Sequence, residues 1–385
     1  MRKNIIAAVV LFAVIFSFAG VLTSCSPNQG PPAMSIEFNG RTTSFSTNIY
    51  GYFLSYSKTR DLIGIANMFA PPGNEVQAQQ VPQFLAMLPP DFWSNELYET
   101  IEAQAQSFMA QMLAIVAFCR EHNLTLSSER LNAIDEYINL IRTEVFGRNR
   151  AQFDATLARF GINEGIFREI RRIEHMTGLV SNFLFDPVNG KHSIDYEDIW
   201  FVYENTFARF NHILLTTSVP IGDGEFEELP SDELAEVREL AQDLYNRISA
   251  SGNDAELFAE LIQNYSDDIS FPPEGVTISE QSGLQAILTD TLFDMEIGDV
   301  RIVEADWGIH IMKRYELLPP DQVPDISSPG NTIANTLTTT FRAIILNQEL
   351  APFLENVTIH EEEVRNIRAR TSDTMFDIWG WLSIR

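Results

Sequence analysis

A chain of 385 residues, 45 % hydrophobic and 11 % aromatic, is long enough for two or three domains and apolar enough for real cores, which excludes a disordered protein. With 53 acidic against 26 basic residues its net charge is -27. Phosphate binding needs clustered Lys and Arg, so nucleic acid is excluded as a partner, anionic lipid head groups are repelled, and any membrane attachment must be covalent or hydrophobic.

The N-terminus offers such an attachment. Arg2 and Lys3 precede an almost unbroken apolar run from Ile5 to Val21, the layout of a secretory signal. The run ends in "VLTSCS", with Leu22 three residues before Cys25 and small Thr23 and Ser24 between. That pattern resembles the bacterial lipobox, which implies removal of residues 1–24 and a lipid on Cys25. A plain transmembrane anchor is the other reading, because the apolar stretch is just long enough to span a bilayer. The polar, Pro- and Gly-bearing "SPNQGPPAM" that follows suits a tether over residues 25–34 and favours the lipoprotein.

Further along, Ala70 to Trp93 is rich in proline and glutamine and reads as a loop or insertion. From Asn95 to His122, Leu97, Ile101, Phe108, Met112, Ile115 and Phe118 recur at three- and four-residue steps and predict one long helix. Ser127 caps the next helix, whose stripe is Leu131, Ile134, Ile138, Ile141 and Val145. Helices follow over Ala151 to Phe160, Asn163 to Phe185 and Tyr196 to Phe207. Their Met and Phe residues suit either a core or a client-binding surface, with core the commoner outcome at helical spacing. Cys119 sits in the apolar helical run "MLAIVAFCR", has no partner for an internal disulfide, and is given no role.

The texture changes at "RFNHILLTTSVP", Arg209 to Pro220, a β-prone run after the helical region. Ser231 caps a helix with Leu234, Val237, Ala241, Leu244 and Ile248 on one stripe, and Asp254 opens another, "AELFAELIQNYS". Then come "GVTIS", a short helical stretch near Leu284 to Leu292, "GDVRIVE", and the strand-like "EADWGIHIMKRYE". Strand, two helices, then short strands and turns describe a compact α+β domain. Past Pro319 and Pro320 a linker leads to a last long helix, which packs back on the N-terminal helices because it cannot stand alone.

Of six histidines, only His212 and His310 lie in strand-like runs, each flanked by aliphatics. One such histidine is usually a satisfied core group. Two, on the first and last strands of one module, are brought together if those strands pair antiparallel, and each imidazole can then fix the tautomer of the other.

In order and spacing, "FNHILL", "ELFAELIQNYSDD", "FDMEIGDV" and "WGIHIMK" resemble the parvulin family of peptidyl-prolyl cis/trans isomerases, over Phe207 to Leu317. The flanking "FGINEGIFREI" and "HSIDYEDIWFVYENTFARFNHILL" resemble the helical segment of extracytoplasmic foldases of the PrsA and SurA kind, and the lipobox points to the former. The resemblance implies an α+β chain: a mostly helical chaperone domain over 35–205, an inserted parvulin-like domain over 206–317, and a C-terminal helical segment over 318–385 that completes the first. It also implies His212, Asp268 and His310 as catalytic residues, and Val276, Leu284 and Leu288 as the apolar wall for the substrate proline. Pro273 and Glu274 stand where the family commonly has Gly-Gly. Leu284 and Leu288 replace Met and Phe, and Ala305 and Trp307 replace small hydroxyl residues.

The expected function is isomerisation of X-Pro bonds in unfolded exported polypeptides, with no cofactor, no metal and no phospho-specificity. The alternative is a holdase that keeps the parvulin fold with an idle pocket. A third possibility is an envelope lipoprotein with one fixed partner. "HEEEV" at His360 lacks the second histidine of a zinc-protease helix and is expected to be a solvated acidic face. "GDGEFEELPSDE" lacks the spaced ligands and central glycine of a calcium loop.

Overall fold

The computed structural model describes residues 30–70, 74, 76–89, 92, 95–222, 225–328, 330–368 and 374–382. Cys25 and the proposed signal lie outside them. The chain divides into two units, Met1–Ser193 with Ala343–Arg385, and Ile194–Arg342. It is an α+β fold, with the second unit inserted in the first.

The first unit begins with a hairpin. Strands β1 (Pro32–Phe38) and β2 (Arg41–Ser46) pair antiparallel about Asn39 and Gly40, both at positive φ, 49° and 71°. An Asn-Gly pair favours this two-residue turn because both positions require φ > 0. Strand β1 starts at Pro32, inside the stretch 25–34 read as a tether. Ser46 then caps the helix Thr47–Met68, its hydroxyl accepting from the Ile49 N–H. That helix buries Tyr50, Tyr52, Phe53 and Leu54 against Met109, Leu113 and Phe118 of the helix Asn95–Glu121. The Met and Phe positions of the latter are thus largely core. Within the expected loop, Val81–Leu85 forms a short helix that buries Val81 and Leu85.

The C-terminal segment completes this unit in more ways than the expected helix. Strand β9 (Val357–Ile359) adds to β1, giving a three-stranded sheet of order β2-β1-β9. Phe353 packs 4.3 Å from Phe38 and 5.9 Å from Phe118, and Trp381 lies 5.9 Å from both Phe146 and Phe167. "HEEEV" corrects its expectation in part. Glu361 and Glu362 are exposed, but Val364 is fully buried and His360 Nε2 lies 2.9 Å from Ser35 Oγ.

The second unit holds a four-stranded antiparallel sheet built from β3 (Phe207–Thr216), β6 (Val276–Ser279), β7 (Val300–Ala305) and β8 (Gly308–Tyr315), in the order β6-β3-β8-β7. Strands β4 (Ser218–Gly222) and β5 (Glu225–Glu228) pair antiparallel in a separate two-stranded sheet. Side chains alternate between the faces of a strand. Ile213, Leu215, Ile309 and Ile311 meet Ala241, Leu244 and Ile248 of the helix Ser231–Ala250 and Phe258, Leu261 and Ile262 of Ala255–Tyr265. Ala208, Phe210 and Met312 point the other way and meet Leu288 and Leu292 of Ala286–Asp294. Burial on both faces explains why β3 and β8 read as nearly continuous apolar runs.

This unit reaches beyond residues 206–317. Tyr203 of the helix Tyr196–Thr206 packs with Phe207, Leu317, Val323, Ile333 and Leu337. The division on the far side falls inside the helix Ile333–Leu354.

Candidate active site

In the β3–β8 ladder His212 stands opposite Met312 and Leu214 opposite His310. The two histidines are therefore diagonal neighbours on one face, the face of Phe210 and Met312. Their ring centroids are 5.0 Å apart and nearly edge-on, at 72°. Both are buried, His212 at 6 % and His310 at 7 % exposure. Two glycines allow the close approaches. A Cβ on Gly308 would lie 2.6 Å from the Leu215 carbonyl oxygen, and one on Gly275, at φ +83°, would lie 2.5 Å from the Phe210 carbonyl oxygen.

Asp268 reaches the pair from the loop after the helix Ala255–Tyr265. Its Oδ2 is 3.2 Å from His212 Nε2, and its Oδ1 accepts from the Ser270 N–H at 2.8 Å. Burial pushes the carboxyl up, but the Ser270 hydrogen bonds and the imidazole outweigh it and hold Asp268 below the usual carboxylate range. Burial lowers His212, against the pull of Asp268. Burial and the neighbouring His212 lower His310 to about 4, against the same carboxylate. At neutral pH the site therefore holds two uncharged imidazoles and one carboxylate. A carboxylate only accepts, so His212 carries its proton on Nε2 and leaves Nδ1 as an acceptor. His310 Nδ1 is buried without a hydrogen-bond partner.

An apolar cluster adjoins these polar groups. Leu288 is almost completely buried in it, while Val276, Leu284 and Phe271 are partly buried against it. Phe271 was not singled out from the sequence, yet its ring lies 5.0 Å from His212 and 5.6 Å from Phe210. Asn211 was missed too. It is 1 % exposed, donates to the Pro272 carbonyl at 2.9 Å and accepts from the His212 N–H at 2.9 Å. The pair Pro273-Glu274 is accommodated in a turn closed by the Gly275 N–H to the Pro272 carbonyl, and Arg209 holds the Glu274 carbonyl. Trp307 is 60 % exposed in the β7–β8 turn, where its carbonyl accepts from the Thr217 N–H. Among the described residues, no group of three or more His, Cys, Asp or Glu side chains comes together to hold a metal.

The family described as the PPIC-type PPIase domain matches residues 203–316. The chain carries a parvulin-type peptidyl-prolyl cis/trans isomerase domain. Its matched span covers β3, the acidic loop and β8, and so every residue of the cluster just described. Two solved structures are similar to the chain, PrsA from Bacillus subtilis and the foldase protein PrsA from Streptococcus pneumoniae str. Canada MDR_19A. Each is 16 % identical, with 74 % of this chain and 93 % of the other covered, at a TM-score of 0.22. That score is too low to show a shared arrangement of the whole chain. No curated protein matches it.

Proposed function

We propose that the chain is a lipid-anchored extracytoplasmic foldase that isomerises X-Pro bonds in exported, still-unfolded polypeptides. The observation that carries this reading is the placing of His212, His310 and Asp268 beside an apolar cluster within an isomerase domain. The anchor is Cys25, and the first unit acts as a chaperone for the same clients.

The chemistry is modest. Rotation about an X-Pro peptide bond crosses a barrier of about 20 kcal/mol without any covalent bond being broken. A thousandfold acceleration needs about 4 kcal/mol of preferential binding to the twisted amide. Removing the amide from water favours the twisted form, which has lost its resonance and part of its polarity. Val276 and Leu284, partly exposed, supply the apolar wall for the ring, and the buried Leu288 backs it from the core. The Asp268 carboxylate acts on the rotating carbonyl, and the neutral histidines hold the hydrogen-bond network without taking up a proton.

The holdase alternative is favoured by Leu288, which at 5 % exposure presents little surface to a substrate. Refolding of a disulfide-free test protein limited by cis-proline decides between them. Acceleration by the chain from Ser26 onward, abolished by Asp268→Ala and by His310→Ala in folded variants, supports the isomerase. Suppressed aggregation without acceleration supports the holdase.

A further inference from the structure

Strand β3 pairs with β6 only over Phe207 to Phe210. The matching edge of its far half must be satisfied by other groups, because buried backbone donors and acceptors are costly to leave unpaired. The loop that follows the helix Ala255–Tyr265 supplies them. The Leu214 N–H donates to Ser266 Oγ at 3.0 Å, the Leu214 carbonyl accepts from the Asp267 N–H at 2.8 Å, and the Thr216 N–H donates to Asp267 Oδ2 at 2.8 Å.

The Ser266 hydroxyl also donates to the Asp268 carbonyl at 2.8 Å and accepts from the Asp268 N–H at 3.2 Å. A hydroxyl has one proton to give and two lone pairs to receive, and here all three are used. They tie one residue of β3 to both backbone groups of Asp268. With Oδ1 held by the Ser270 N–H, the remaining oxygen, Oδ2, is left facing His212 Nε2.

We propose that Ser266 is a positioning residue of the isomerase site: acting through Asp268, its hydroxyl fixes the carboxylate that orients the His212 imidazole. The kinetic consequence rests on the isomerase reading above, but the geometric one does not. Replacing Ser266 with Ala leaves the Leu214 and Asp268 N–H groups without their acceptor and frees Asp268, while Asp267 still ties the loop to Leu214 and Thr216. The Asp268 carboxylate then moves from His212, whose tautomer is no longer held. Threonine keeps the hydroxyl and should keep the arrangement.

The test compares wild type, Ser266→Ala, Ser266→Thr and Asp268→Ala in the full chain. Nitrogen NMR of the His212 ring should show the Nε2–H tautomer in wild type and Ser266→Thr. Ser266→Ala should match Asp268→Ala, with mixed tautomers and a lower His212 pKa, because the negative charge moves away in the first and is removed in the second. A Ser266→Ala protein that loses stability while His212 keeps its tautomer and titration would show a purely structural hydroxyl and overturn the proposal. In the kinetic arm, Ser266→Ala should lower kcat for an X-Pro peptide about tenfold with KM little changed. Added to Asp268→Ala, it should cost no more than about twofold, since the two act as one unit. Full, independent losses from both substitutions would also refute it. A wild-type chain without turnover would defeat the isomerase reading, while the ring spectra would still decide the role of Ser266.

Discussion

Acidification should loosen the isomerase unit through His310. Burial, together with the neighbouring His212, holds this imidazole at about 4, against 6.5 for an unperturbed histidine. The unfolded chain therefore binds a proton near pH 6.5 that the folded chain refuses until about pH 4. Stability from the neutral, buried ring is complete above pH 6.5 and is lost as pH falls. Linkage puts the loss at about 2 kcal/mol by pH 5 and about 3 kcal/mol by pH 4. His212, also lowered, acts in the same direction. Asp268, the carboxylate that faces both rings, is lowered from 3.8 and loses its contribution only below this window. The assay is urea unfolding at pH 7 and pH 5, followed by amide cross-peaks of β3 and β8, in wild type and His310→Gln, alongside a native-state NMR titration of the ring. Wild type should lose about 2 kcal/mol more than the variant between those pH values. A His310 that titrates near 6.5, or equal losses in the two proteins, would refute the reasoning.

Gly275→Ala should destabilise the second unit, because the residue sits at φ +83° and the new Cβ would meet the Phe210 carbonyl oxygen at 2.5 Å. The cost is about 1–3 kcal/mol for the backbone conformation alone, read as a lower urea midpoint for the β3 and β8 amides. In the first unit, Phe353→Ala should cost about 3–5 kcal/mol, since the ring is 3 % exposed and packs on Phe38 and Phe118. Thermal unfolding of the intact chain measures it, and an unchanged first-unit transition would mean that the C-terminal helix is not part of that core.

Much of the second unit was legible because its signals are local. Asp254 caps its helix as read, accepting from the Leu257 N–H at 2.8 Å, whereas Ser231, read as a cap, is the first helical residue behind Pro230 and makes no capping bond. The β-prone runs around His212 and His310 are the central strands of the sheet. Their antiparallel pairing, inferred from two histidines in one module, is the pairing that sets the rings 5.0 Å apart. The Asn39-Gly40 hairpin was just as local a signal, a turn pair between two β-prone runs, and it was passed over. The third strand of that sheet could not have been read in the same way. Val357–Ile359 is three residues long and becomes a strand only because β1, more than 300 residues earlier in the chain, offers it an edge.

The sequence by itself determined composition, helix starts, the family of the isomerase domain and the identity of its polar residues, because each depends on residue type and near-neighbour spacing. Only the tertiary structure decided that Phe271 lies against His212, that Asn211 and Ser266 hold the loop to β3, and that Leu288 is almost completely buried. Those outcomes depend on which loop satisfies which strand edge. Hydrogen bonds and ring contacts between residues about 50 to 60 positions apart settle that, and no periodicity along the chain records it.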